Sequence, residues 1–142
     1  MSIELMSVAL AGQRFGIPVL QVRDVLAPQK IARIPLAPPE VAGALNLRGR
    51  IVTAIDLRKR LGLPPGSGRA MSVVVEQGGE LYSLLVDSVG EVLRLEESAL
   101  ERNPPTLDPQ WRSVSAGIYR LEDCLLAVLD VARALELPRK PA

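Results

Sequence analysis

The chain is a degenerate duplicate of itself, and this constrains its fold more than any local pattern does. Phe15-Gly-Ile-Pro-Val-Leu-Gln-Val-Arg-Asp-Val-Leu26 aligns with Tyr82-Ser-Leu-Leu-Val-Asp-Ser-Val-Gly-Glu-Val-Leu93: an aromatic residue heads each copy, apolar residues match at Ile17/Leu84 and Val19/Val86, and valines match at Val22/Val89 and Val25/Val92. Further along, Ala54-Ile55-Asp56-Leu57 with Leu61 and Leu63 aligns with Val128-Leu129-Asp130-Val131 with Leu135 and Leu137, and the same offset sets Gly43 on Gly117. The offset grows between the early and late segments, which places an insertion between Asn103-Pro104-Pro105 and Trp111, read as a loop. At 142 residues the chain suits one compact body and rules out two large domains. Each copy alone is too small to bury a comfortable core, so two similar units packed on each other are expected.

Within each copy the apolar runs are short and rich in Val, Ile and Leu. Ser7–Leu10, Ile51–Ile55, Met71–Glu76, Leu81–Val86 and Cys124–Leu129 have lengths that suit strands. Ala11-Gly12-Gln13, Arg48-Gly49-Arg50 and Gln77-Gly78-Gly79-Glu80 sit between such runs and read as hairpin turns, which predicts antiparallel pairing. Helical periodicity is brief, at Asp56–Leu61 and Asp130–Leu135, where each leading Asp can cap free N–H groups; Asp56 and Asp130 are therefore read as structural. Prolines mark edges and linkers, and Leu63–Arg69 is the best boundary between the copies. The pattern predicts two small β-barrels of similar topology, in approximate halves 1–66 and 70–137, between which strands can be exchanged. A groove between them is the natural seat for a partner.

Composition removes whole classes of function. There is no histidine, hence neither the commonest general base nor the commonest metal ligand. The one cysteine, Cys124, has no partner for an intramolecular disulfide and no histidine to activate it, so it reads as a small buried apolar side chain in a reducing compartment. No phosphate-cradling loop, dinucleotide fingerprint, metal-spaced cluster or nucleophile elbow occurs, so no enzyme, metal site or cofactor is expected. Lys+Arg 17 against Asp+Glu 16 gives a net charge of +1, and aromatic residues make up 3%. Both argue against nucleic acid, whose small-barrel binders need basic grooves and stacking side chains. Arg58-Lys59-Arg60 reads as a solvated helix face. No basic segment leads an apolar run at the N-terminus and no stretch approaches a bilayer span, which predicts a cytoplasmic chain that does not insert into the membrane.

The segment from Ile34 to Leu63 carries a proline-rich approach, a Gly43-to-Gly49 turn ending in Asn-Leu-Arg-Gly, a buried strand, and an Asp56-Leu-Arg start of a short helix. It resembles the signature region of the CheW family, the coupling proteins of bacterial chemosensory arrays. Phe15–Leu26 is similar to the family's first hairpin and Leu84–Leu93 to its counterpart, so the resemblance spans nearly the whole chain.

The resemblance implies a mainly β fold of two tandem five-stranded SH3-like β-barrels with short helices. It also implies an adaptor, associated with membrane receptor arrays, that binds two partners: the cytoplasmic hairpin of a methyl-accepting chemoreceptor and the regulatory domain of a CheA-type histidine kinase. The receptor-facing set it implies is Val22, Asp24 and Val25 with Gly43, Asn46, Leu47, Arg48 and Gly49. Arg48 has two readings, a planar fork offered to a receptor carboxylate or carbonyl, or an internal pair with Asp24 that holds two strands in register. Gly43 and Gly49 are expected where φ is positive or backbones approach closely, and Val22, Val25 and Leu47 also suit a core. Kinase contact is expected at the ends and edges of the barrels, with Arg58, Arg60 and Gly117 as candidates. The lone Trp111 is expected to pin its loop to the barrel. The competing readings are a scaffold, coupling or competing, in a pilus-motility or other non-flagellar chemosensory pathway, a small-barrel nucleic-acid binder, and a hydrolase built on Ser or Cys124.

Overall fold

The computed structural model describes residues 1–66 and 70–136; residues 67–69 of the inter-repeat connector, Leu137 and the Pro138–Ala142 tail lie outside the described residues. The described residues form ten strands, β1 (Ser2–Leu10), β2 (Gln13–Pro18), β3 (Val22–Leu26), β4 (Val41–Leu47), β5 (Arg50–Asp56), β6 (Met71–Gln77), β7 (Glu80–Val86), β8 (Ser88–Glu96), β9 (Ser115–Arg120) and β10 (Leu125–Leu129). Three short helices join them, α1 (Leu57–Arg60), α2 (Pro109–Val114) and α3 (Val131–Ala134). The expected hairpin turns are present. Ala11-Gly12, Arg48-Gly49 and Gly78-Gly79 each place two consecutive residues at positive φ between directly paired strand ends, as a two-residue hairpin of type I′ requires.

The strands form two five-stranded sheets. Sheet A runs β8-β1-β2-β10-β9 and sheet B runs β3-β6-β7-β5-β4. The repeat is visible in the registers: β3 meets β6 at Val22 opposite Val75, and β8 meets β1 at the equivalent Val89 opposite Val8, each beside a β-bulge. Neither sheet is built from one copy of the repeat. The β1–β2 hairpin receives β8, β9 and β10, while the β6–β7 hairpin receives β3, β4 and β5, so strands are exchanged reciprocally between 1–66 and 70–137. This exchange corrects the expectation of antiparallel pairing throughout. Where the exchanged segments meet the hairpins, β10 runs parallel to β2 and β5 parallel to β7. The partners there are joined by long crossovers, which permit parallel neighbours as tight turns do not.

Each sheet is closed into a barrel by one two-residue bridge. The chain leaving edge strand β3 returns so that Ala32 and Ala44 of β4 exchange N–H···O bonds of 2.9 and 2.8 Å. The chain leaving β8 does the same, with Glu101 and Ile118 of β9 at 2.8 and 2.9 Å. Both edges that would otherwise invite foreign strands are thereby covered. Gly43 and Gly117 stand beside the two bridges with φ of 150° and 155°. A Cβ at Gly43 would lie 2.1 Å from the Ala32 carbonyl oxygen, and one at Gly117 would lie 2.7 Å from that of Glu101. The repeated glycine is a closure device.

One apolar layer fills the space between the sheets, with Val8, Leu10, Phe15 and Ile17 from sheet A facing Ile55, Val73, Val75, Leu84 and Val86 from sheet B. A second cluster, including Leu45, Val52, Val74 and Leu85, lies inside sheet B, and a third, of Leu5, Tyr119, Leu126 and Val128, inside sheet A. The expected caps form: the Asp56 carboxylate accepts the Lys59 N–H and the Asp130 carboxylate accepts the Arg133 N–H, each at 3.2 Å. The segment read as a loop runs into α2, which Asp108 caps by accepting the Gln110 N–H at 2.9 Å with Pro109 at the first helical position. Trp111 rides on that helix and packs on Phe15, ring centroids 4.8 Å apart. Cys124 corrects the buried reading: it is half-buried, in the bend before β10, with the Arg14 guanidinium 3.7 Å from its sulfur.

The crossover from β7 to β8 is held by Asp87. Its carboxylate accepts the Ala11 N–H at 2.8 Å and both arms of the Arg58 guanidinium at 2.9 and 2.5 Å. The Arg58 hydrogen bonds, opposed by desolvation and aided by Ala11, hold the Asp87 carboxyl below its usual pKa.

Three outcomes follow from this packing. Gly43→Ala should cost about 1–3 kcal/mol or more in urea unfolding, because its Cβ meets backbone. Gly49→Ala, whose Cβ meets nothing within 4 Å, should cost only the left-handed backbone term of about 1–2 kcal/mol. A folded pKa below the unfolded one means that Asp87 stabilises above the unfolded carboxylate range of about 4 and ceases to do so as pH falls through its folded value. The stability difference between wild type and Asp87→Asn should therefore be full near neutral pH and vanish in acid.

Candidate partner-binding cleft

The residues that the resemblance places in a receptor-facing set fall in four places. Asp24, Leu47 and Arg48 converge on one cleft of about 260 Å³ at the end of sheet B that carries the 48–49 turn; Arg23, Arg50, Glu76 and Leu81 complete its lining. Asn46 and Gly49 build the turn itself, since the Asn46 side-chain oxygen accepts the Gly49 N–H at 2.8 Å. Gly43 sits at the opposite end of β4, beside the closure bridge. Val22 packs against the layer between the sheets, Leu47 against the interior of sheet B, and Val25 is half-buried on β3.

The cleft has an apolar floor and a charged rim. Leu47 and Leu81 supply the floor, from β4 and β7. Arg23 on β3 pairs with Glu76 on the adjacent β6 at 2.9 Å. Arg48 lies 3.7 Å from Asp24, but the two side chains are 84% and 29% exposed. A pair that long and that wet contributes little, so of the two readings of Arg48 the internal strand-register role is the weaker. The positive φ of 53° at Arg48 is set by the hairpin and lifts its guanidinium onto the rim. The Asp24 carboxylate also accepts the Val25 N–H at 2.9 Å. Spacing could not reveal Glu76 or Leu81 as cleft residues, because the β6–β7 hairpin meets β3 and β5 only through the strand exchange; Arg23 and Arg50, one residue from Asp24 and Gly49, enter the cleft as neighbours of residues already singled out.

At the far end of sheet B a second, larger cleft runs along Ile34 to Pro39, closed on one side by Asp56 and Lys59 of the α1 cap. Leu36 projects there 93% exposed, in the left-handed region at φ 59°.

The three candidates for kinase contact are engaged within the fold. Arg58 makes the Asp87 pair and donates to the Pro64 carbonyl at 2.7 Å. Arg60 donates to the carbonyls of Ala134, Arg133 and Glu136 at 3.0–3.3 Å, tying α1 to the end of α3. Gly117 serves sheet closure. Among the described residues no group of three or more His, Cys, Asp or Glu is placed to hold a metal ion, and no helix is long and apolar enough to cross a membrane.

The CheW-like domain model matches residues 4–139 of the chain. The chemotaxis protein CheW of Bacillus subtilis (strain 168) is 29% identical over 127 residues, covering 88% of this chain and 81% of that protein. That of Thermotoga maritima is 27% identical over 134 residues, covering 94% and 87%. Among solved structures, the crystal structure of the scaffolding protein TtCheW from Thermoanaerobacter tengcongensis superposes with a TM-score of 0.87 at 29% identity, covering 96% of this chain and 90% of that one.

The weak Arg48–Asp24 pair has a measurable consequence. A double-mutant cycle in urea unfolding with Arg48→Gln and Asp24→Asn should return a coupling below about 1 kcal/mol. A larger coupling would make the pair a structural clamp.

Proposed function

The chain belongs to the CheW-like domain family, and on that premise we propose that it is a non-catalytic chemotaxis adaptor, joining the cytoplasmic hairpin of a chemoreceptor to the regulatory domain of a CheA-type histidine kinase. The observation that carries this reading is the sheet B cleft, in which an apolar floor of Leu47 and Leu81 lies under the exposed Arg48 guanidinium. A helical hairpin is recognised by such a groove: aliphatic side chains of the helix enter the floor, and a rim arginine reaches a carboxylate or a helix-end carbonyl.

An adaptor needs a second surface that stays free while the first is filled. The cleft along Ile34 to Pro39 lies at the other end of the same sheet and offers exposed aliphatic side chains to a barrel-shaped partner such as the kinase domain. Rigid coupling of the two surfaces follows from the interlocked sheets, so binding at one end does not require rearrangement at the other. On this reading the protein works in the cytoplasm, beside the membrane that holds its receptors.

Isothermal titration against a receptor cytoplasmic fragment and, separately, a kinase regulatory domain tests the proposal. Saturable binding to each is expected, with a ternary complex when all three are mixed. Arg48→Glu should weaken receptor binding by about tenfold or more, equal to about 1.4 kcal/mol, while leaving kinase-domain binding and the thermal midpoint at their wild-type values. Binding to neither partner would overturn the assignment, and unchanged receptor affinity in Arg48→Glu would remove the cleft from it.

A further inference from the structure

The repeat matches the interiors of the two sheets residue by residue, and at several matching positions sheet B carries the smaller side chain. The offset that sets Phe15 on Tyr82 also sets Ile3 on Ala70, Leu5 on Ser72 and Gly16 on Ser83. The registers agree: Gly16 stands opposite Ser7 and Ser83 opposite Val74, while Leu5 stands opposite Pro18 and Ser72 opposite Leu85. The offset that sets Gly43 on Gly117 sets Leu45 on Tyr119, Val52 on Leu126 and Ala54 on Val128. Inside sheet A the space is taken by Leu5, Tyr119, Leu126 and Val128, and a Cβ on Gly16 would stand 3.0 Å from the Leu5 side chain. Inside sheet B the counterparts are Leu45, Val52 and Ala54, and two serines stand where Leu5 covers Gly16. Ser72 and Ser83 are each 0% exposed, and neither hydroxyl has a hydrogen-bond partner among the described residues.

A buried hydroxyl left without a partner is costly, and native interiors satisfy it with protein groups or with ordered water. The two serines face the same space. Ser72 alternates with Ala70 and Val74 on β6, Ser83 alternates with Leu81 and Leu85 on β7, and all four of those neighbours belong to the sheet B interior. The pair occupies diagonal positions of the β6–β7 ladder. Such positions stand about 7–8 Å apart, too far for two short hydroxyls to bond each other and about the span that one water bridges with hydrogen bonds of about 2.8 Å. Purely apolar space in a protein stays dry, whereas polar groups with room beside them hold water. We propose that the interior of sheet B binds a water molecule between the Ser72 and Ser83 hydroxyls, accepting a hydrogen bond from one and donating to the other. The interior of sheet A, with Leu5 and Gly16 in these places, has no such site. The water exchanges at the end of the barrel where Ile31 and Ala70 belong both to that interior and to the wall of a surface cleft of about 410 Å³. It is held in the same cluster as Leu47 and Leu81, which floor the Arg48 cleft at the other end.

Oxygen-17 relaxation dispersion of the full chain tests this, because it counts waters held for longer than the protein takes to tumble and is blind to exchanging hydroxyl protons. S72L/S83G gives sheet B the pair that sheet A already packs, and S72A/S83A removes both hydroxyls while leaving the space apolar. Each should lose one long-lived water relative to wild type. S113A, which alters an exposed serine of α2, should lose none. A second measurement needs no variant: in wild type, the Val74 and Leu85 methyl groups should show cross-relaxation with a bound water, and the Leu5 methyl groups should not. An unchanged count in either folded serine variant, an equal loss in S113A, or no bound-water signal at Val74 and Leu85 would each overturn the proposal.

Discussion

The third strand of each repeat hydrogen-bonds to the sheet begun by the other repeat, and the rest of the structure depends on that exchange. Val22–Leu26 leaves the β1–β2 hairpin to pair with β6, and Ser88–Glu96 leaves the β6–β7 hairpin to pair with β1. Neither hairpin has a complete sheet without strands from the other copy. The exchange makes the parallel contacts β2·β10 and β5·β7 necessary, and it presses the inner faces of both sheets onto the shared layer around Phe15, Ile17, Val73 and Leu84. Two units too small to be stable alone become one body that shares the apolar layer between its sheets. Asp87 sits at one of the two crossovers, where Arg58 from the sheet B side and the Ala11 N–H from the sheet A side meet the same carboxylate.

This architecture places the surfaces. Because β3 lies beside β6, Asp24 and Arg23 stand next to Glu76 and Leu81; because β4 closes the same barrel, Leu47 and Arg48 complete the cleft. Closure through Ala32 and Ala44 sends the proline-rich segment across the opposite end of the sheet, where it lines the larger cleft. The two ends of one barrel thus carry different chemistry, a charged rim over aliphatic side chains at one and a proline-rich wall facing Asp56 and Lys59 at the other. One rigid sheet holds the two surfaces at a fixed separation.

Local chemistry was legible in the sequence where one residue type answers one backbone need. Gly43 and Gly117 shared a register because both stand against a bridging carbonyl, and Asp56 and Asp130 shared one because both cap a four-residue helix. The type I′ turns were written in their glycines. That strands can be exchanged was expected, but which strands cross was not legible, since a duplicated sequence looks the same whether the third strand folds back on its own hairpin or crosses to the other. Antiparallel pairing was therefore expected in two places where it does not occur, and four of the seven residues that line the cleft were missed. Helix α2 had a signal in Asp108-Pro109, an N-cap followed by proline, which the surrounding prolines obscured. Cys124 is half-buried because its bend lies at the barrel tip, outside the apolar run that follows it.

Reciprocal strand exchange makes one cooperative body of the two sheets. Native-state hydrogen exchange across a series of sub-denaturing urea concentrations tests it directly. Amides of β3 paired to β6 and of β8 paired to β1 should converge on one opening free energy, equal to that of global unfolding, together with the central strands of both sheets. If the strands of one sheet instead exchanged through a separate opening while those of the other stayed protected, the sheets would be independent units that strand exchange does not unite.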